Sequence, residues 1–168
     1  MNKLKHTNSK DMFIDVDIGN QCLYLKENEQ VIARYNVSTA KNGTGQLNGS
    51  ECTPLGKHNI RAKIGANKAE NTVFVGRRDS GEIFTEALRQ QNKERDWILT
   101  RILWLNGLEK GKNRGGEVDT MRRYIYIHGC PDADSFESPS SHGCIKMRNK
   151  DIIELFDKVD TGIRVFIY

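Results

Sequence analysis

Two copies of one tripeptide place sulfur and imidazole side by side in this chain. His128-Gly129-Cys130 closes an apolar run, and His142-Gly143-Cys144 lies within Pro139-Ser140-Ser141-His142-Gly143-Cys144-Ile145-Lys146-Met147. This one window holds two of the four histidines and two of the four cysteines. Two chemistries call for that grouping. One is a bound metal, and the other is a cysteine nucleophile served by a base.

The spacing disfavours the metal. The two units offer two nitrogen and two sulfur ligands, a common composition for structural zinc. A chelating pair, however, usually has about two to four residues between its ligands, so that the chain can curl round the ion. Here a single glycine intervenes. A zinc-stabilised β module without enzymatic activity is the lesser alternative, and no metal or other cofactor is expected.

The nucleophile reading fits better. A thiol reacts poorly until a neighbour takes its proton or lowers its pKa. Gly143, just before Cys144, permits a sharp turn that turns backbone amides toward a reacting carbonyl, as an oxyanion hole requires. His128 ends a strand, where a rigid element would hold a base steady. Alternation puts Tyr124, Tyr126 and His128 on one face, so the tyrosines would wall the same pocket. On chemistry alone the base is either His128 or His142. Cys22, Cys52, His6 and His58 read as structural.

The elements that must position these groups are mostly strands. Met12–Asp17 alternates apolar and polar residues, Cys22–Lys26 reads as its return strand, and Val31–Val37 as a third. Lys41–Ser50 is a loop; His58–Ile64 and Thr72–Gly76 are further strands. Thr85–Glu94 suits a short surface helix, Trp97–Leu105 a central strand, and Arg123–His128 the strand that ends at the candidate base. Gly107–Gly116 reads as a solvated loop, with a substrate-facing flap as the alternative. Asn149 is placed to cap a helix whose apolar stripe is Ile152, Ile153, Leu155, Phe156 and Val159. Gly162 ends it, and Ile163–Tyr168 is a last strand. Short strands with polar turns at this pace predict an all-β sandwich or barrel.

Composition narrows the field. The chain has 168 residues, long enough to bury a real core in a single domain over residues 12–168 after a polar segment 1–11. The net charge of +4 comes from 26 basic and 22 acidic residues that are interspersed, so no nucleic-acid surface is expected. No apolar run approaches the roughly 20 residues of a membrane span. Four cysteines are too few for a disulfide scaffold at this length. Oligomeric state is not legible.

Taken together, His128 and the block Ser141-His142-Gly143-Cys144-Ile145-Lys146-Met147 resemble the signature of the L,D-transpeptidase catalytic domain, the YkuD-type domain. That signature is His-Gly, a spacer, then Ser/Thr-His-Gly-Cys, an apolar residue and usually Arg or Asn. Ile14–Leu25, Val37–Gly43 and Thr53–Gly56 are similar to the family's earlier segments. The resemblance implies a mainly β, sandwich- or barrel-like fold with one helix after the nucleophile and a minor helical insertion. It implies acyl transfer on peptidoglycan stem tetrapeptides or muropeptides, with terminal D-alanine released. Cys144 would be the nucleophile and His128 the base, oriented by the Gly129 carbonyl. The amides near His142, Gly143 and Cys144 would hold the oxyanion. Ser141, Tyr126 and Lys146 would contact substrate.

Two departures stand out. Lys146 occupies a position where arginine is commoner, keeping charge but losing the bidentate fork. Cys130 follows His128-Gly129 where a small hydroxyl residue is more usual; by alternation it shares a face with His128, and an oxidisable Cys130–Cys144 pair that switches the enzyme off is expected. The acceptor decides between an L,D-transpeptidase, which passes the acyl group to an amine, and an L,D-carboxypeptidase of cell-wall recycling, which passes it to water. With no signal peptide in the sequence, a cytoplasmic place is expected if the chain is complete. A periplasmic or cell-wall place follows if a leader has been removed.

Overall fold

The computed structural model describes residues 12–168; segment 1–11, with His6, lies outside the described residues. The strands are β1 (Met12–Asp17), β2 (Cys22–Glu27), β3 (Gln30–Ser38), β4 (Gly56–Ile64), β5 (Thr72–Val75), β6 (Arg78–Ile83), β7 (Ile98–Gly107), β8 (Tyr126–Gly129), β9 (Ile145–Met147) and β10 (Arg164–Ile167). The helices are α1 (Glu86–Gln91) and α2 (Asn149–Lys158), with a single 3-10 turn at Gly116–Val118.

Hydrogen bonding runs in the order β4-β10-β1-β2-β3-β9-β8-β7, and a β4–β7 pairing closes this ring into a barrel. Closure removes the open edges that would otherwise template aggregation. The β5–β6 hairpin sits outside the ring and joins it through β7. One strand serves three partners because β7 is long and bulged. Its start pairs with β5, its later residues pair with β4, and β8 runs along its other edge. The break in register between Leu99 and Ile102 coincides with Thr100, whose φ is +73°.

Alternation fills the barrel. Ile14, Val16, Leu23, Leu25, Leu103, Ile127, Ile145, Met147 and Val165 belong to one buried cluster. Ile152, Leu155 and Phe156 of α2, with Val159 after it, belong to that cluster, so most of the expected apolar stripe is the docking face of the helix; Ile153 is only half-buried and lies outside the cluster. The family-implied mainly β fold, with a helix after the nucleophile and a small helical insertion (α1), is what the chain adopts.

Several local expectations need correction. Asn149 is not the N-cap: Arg148 occupies that position without a side-chain cap bond, and Asn149 is the first helical residue, fully buried. Its side chain is used elsewhere, as described below. Strand β6 was not expected, because Arg78-Asp79-Ser80-Gly81-Glu82-Ile83 lies on the outside and shows no apolar alternation. Strand β8 begins at Tyr126, not Arg123; Tyr124 sits before it in the left-handed region (φ +57°). Most of the Gly107–Gly116 loop is exposed, as the solvated reading expects, but it has one buried anchor and does not face Cys144. Asn113 is fully buried and donates to the carbonyls of Leu55 and Lys57. Glu109 and Lys112 line a separate depression with Phe166 and Tyr168, away from Cys144. Among the described residues no helix is long and apolar enough to cross a membrane.

Candidate active site

The site is built by the register of two parallel strands. Ile127 pairs with Ile145, His128 with Lys146 and Gly129 with Met147. Ile127, Ile145 and Met147 point into the barrel core. Neighbours along a strand face opposite ways, and directly paired residues share a face. Tyr126 and His128 of β8 therefore share the other face with Lys146 and with Cys144, which just precedes β9. All four line one cleft of about 530 Å³ with Ser141 and His142.

The backbone amide of Tyr126 donates to Cys144 Sγ at 3.3 Å, and the thiol faces the carbonyl of Tyr124 at 3.5 Å. Burial pushes the Cys144 thiol up to about 12, the Tyr126 amide acting in the opposite direction. His128 is buried, and its Nδ1 lies 2.7 Å from the Gly129 carbonyl oxygen. A carbonyl only accepts, so Nδ1 carries the hydrogen and Nε2 keeps the free lone pair. Burial, opposed by the nearby Asp96 carboxylate, holds the His128 pKa below the ordinary histidine value. Both shifts favour the uncharged forms, a thiol at Cys144 and a neutral imidazole at His128.

The turn before Cys144 is held from three sides. Gly143 has φ +127°, and a Cβ there would stand 3.1 Å from Ile125 Cδ1, so glycine is required. Ser141, buried, donates from Oγ to the Cys144 carbonyl (2.5 Å) and accepts from the Gly143 amide (3.2 Å). One of the amides expected to hold an oxyanion is therefore engaged at rest. Thr53, also buried, donates to the Gly143 carbonyl (3.0 Å) and accepts from the Ala40 amide (3.0 Å), tying the turn to a distant loop.

The sequence model of the L,D-transpeptidase catalytic domain, YkuD, matches residues 11–167. The chain belongs to this family. Among L,D-transpeptidase relatives, the YkuD protein of Bacillus subtilis (strain 168), named as an L,D-transpeptidase, is 35% identical over 65 residues, which is 36% of this chain and 40% of the relative. An Enterococcus faecium L,D-transpeptidase structure superposes with a TM-score of 0.56 at 16% identity, covering 95% of this chain and 50% of that one. A Bdellovibrio bacteriovorus protein, Bd1075, gives 0.58 at 19% identity over 94% of this chain and 47% of its own. At such identities the structures establish the fold. The chain spans about half the length of these structures.

Within this L,D-transpeptidase domain the second cysteine does not join the first. Cys130 is fully buried and donates to the Met147 carbonyl (3.4 Å), three residues beyond Cys144. Three residues of strand span about 10 Å, whereas disulfide Cα atoms lie roughly 4.4–6.8 Å apart. All four cysteines are free. The oxidisable Cys130–Cys144 pair is therefore not supported, and the two His-Gly-Cys units do not converge on a point as metal ligands would. Among the described residues no cluster of metal-ligating side chains occurs.

Lys146 reaches the cleft but is ion-paired to Asp134 (3.4 Å), which Arg89 also contacts (2.9 Å). His142 is exposed and opens onto the same cleft. Three further cleft residues escaped the sequence reading: Arg77, Asp96 and Arg123. Arg77 is at the tip of the β5–β6 hairpin, and only the presence of that hairpin could have signalled it. Arg123 donates to the carbonyls of Gly45 (3.2 Å) and Cys52 (2.7 Å), bracing the loop that carries Thr53.

Proposed function

We propose that the chain is a cysteine acyltransferase acting on peptidoglycan stem tetrapeptides. The observation that carries this reading is the His128 Nδ1 to Gly129 carbonyl contact of 2.7 Å. It commits Nδ1 to the backbone and leaves Nε2 as the base in the cleft that Cys144 also lines.

In the proposed reaction Nε2 of His128 takes the thiol proton as Cys144 Sγ attacks the carbonyl that precedes the terminal D-alanine. Amides of the His142–Cys144 turn stabilise the oxyanion. Collapse breaks the C–N bond, the proton passes from His128 to the departing amine, and D-alanine leaves a thioester on Cys144. An acceptor amine attacks that thioester as His128 Nε2 takes its N–H proton; collapse breaks the C–S bond, and His128 returns the proton to Cys144 Sγ, regenerating the thiol. A base of lowered pKa and a thiol of raised pKa suit proton transfer concerted with attack better than a preformed ion pair.

The test is mass spectrometry after incubation with disaccharide-tetrapeptide, with and without an amine acceptor. A Cys144-dependent conjugate identifies the transpeptidase, and loss of D-alanine alone identifies the carboxypeptidase. Absence of any Cys144-dependent change overturns the enzymatic reading for this substrate.

A further inference from the structure

Three cations border the cleft beside Cys144, and their surroundings differ. Lys146 faces Asp134 at 3.4 Å. Arg123 is spent on the Gly45 and Cys52 carbonyls. Arg77 has one polar partner, the hydroxyl of Tyr126, to which Nη1 donates at 2.9 Å. Among the described residues it has no carboxylate within ion-pair distance. Its guanidinium instead lies over the rings of Trp104 (4.6 Å) and Tyr124 (4.7 Å).

This setting pre-organises the group. Gly76 (φ +53°) and Arg77 (φ +64°) form the two-residue loop between paired Val75 and Arg78. Such a tight hairpin fixes where its second loop residue projects. Two aromatic faces then hold the guanidinium plane, while Nη2 and Nε keep N–H donors for a ligand. The Tyr126 link ties this site to the nucleophile, because the amide of the same residue donates to Cys144 Sγ. Arg77 thus stands about one tyrosine side chain from the reacting sulfur. A planar, stacked, unpaired guanidinium is matched chemically by a carboxylate, which it can bind through a two-bond fork.

We propose that Arg77 is the specificity-determining residue of this cleft and binds a carboxylate flanking the scissile bond of the peptide substrate. This inference rests on the function proposed above and places carboxylate binding at Arg77, not at Lys146, which faces Asp134.

The experiment is calorimetric titration of the Cys144→Ala protein with disaccharide-tetrapeptide, and with the same ligand carrying its carboxylates as amides. Arg77→Met is expected to weaken binding of the free-carboxylate ligand on the order of 10-fold or more. Arg77→Lys, which keeps charge without the fork, is expected to lose an intermediate amount. Amidation should weaken the parent and leave Arg77→Met unaffected. Tyr126→Phe, which frees Arg77 from its anchor, gives a second route to the same loss should Arg77→Met prove unstable. Equal affinity of parent and Arg77→Met, or an amidation penalty that persists in Arg77→Met, overturns the inference and leaves the proposed function standing. Failure of the parent to bind the ligand, together with no Cys144-dependent turnover, overturns both. In turnover assays the Arg77 effect is expected in KM more than in kcat.

Discussion

Gly129 and Asn149 are packed so closely that no side chain fits between them: a Cβ on Gly129 would stand 2.5 Å from Asn149 Oδ1 and 2.6 Å from the Leu99 carbonyl. Asn149 cannot give way easily. Thr100 donates to its Oδ1 (2.6 Å), and its Nδ2 donates to Asn71 Oδ1 (3.0 Å) and Asp132 Oδ1 (3.2 Å). The residue whose carbonyl orients His128 is therefore backed by a buried polar network.

Gly129→Ala is expected to destabilise the fold by about 1–3 kcal/mol through overpacking. It should also tilt the peptide that accepts from His128 Nδ1. A lowered urea midpoint, with turnover reduced even in protein that remains folded, is the expected result. Unchanged turnover would show that His128 orientation does not depend on this packing.

The protonation states lead to a pH test. Burial pushes Cys144 up to about 12, so its thiolate fraction rises about tenfold per pH unit well beyond neutrality. Iodoacetamide alkylation of Cys144, followed by intact mass, should keep accelerating from pH 7 to pH 10. A plateau already reached near pH 7 would mean a preformed thiolate–imidazolium pair. His128 sits below the ordinary histidine value, so the acid limb of turnover should lie below about pH 6.5.

A second titration concerns stability. His58 is buried between the Gly56 carbonyl and Thr120 Oγ1 (both 3.0 Å), and burial lowers its pKa to about 4. The unfolded chain takes up this proton below about pH 6.5, while the folded chain refuses it until about pH 4. Stability is thus intact above pH 6.5 and falls as the pH drops through that window, by about 3 kcal/mol from this residue. Denaturant titrations at pH 7 and pH 4.5 should show the loss, and His58→Gln should flatten it.

Ser141→Ala removes a hydroxyl that makes two hydrogen bonds within the turn. A cost of about 0.5–1.5 kcal/mol is expected, because the Cys144 carbonyl loses its donor. The freed Gly143 amide should not compensate, since the turn it belongs to has loosened. Reduced turnover with normal Cys144 alkylation would be the corresponding functional result.

Cys130→Ala should leave turnover intact and cost on the order of 1 kcal/mol for the small cavity. Non-reducing peptide mapping under mild oxidant should find no Cys130–Cys144 link. Finding that link would require β8 and β9 to slide by several residues.

Long strands were legible because alternation of apolar residues is written locally. Met12–Asp17 carries that alternation, while β7 shows instead a run of apolar, β-prone residues that is buried along most of its length. Strand β6 was not legible, since a polar strand on the outside has no periodic signal. Asn149 departs from the capping role for a different reason. An asparagine ahead of an apolar stripe suits a cap, yet its amide is drawn to Thr100, Asn71 and Asp132, which are remote in sequence.

The proposed reactive pair follows the same division. Residue type and spacing pointed to Cys144 with either His128 or His142 as its base, because the motif is contiguous and its backbone needs are local; the choice of His128, oriented by Gly129, came with the family resemblance. The tertiary structure decided what surrounds them. It separated Cys130 from Cys144 by strand register, paired Lys146 with Asp134, and brought Arg77 from an outer hairpin onto the aromatic wall of the cleft. Those outcomes depend on which strands lie side by side, and that is set by closure of the barrel, a property of the whole chain that no short window encodes.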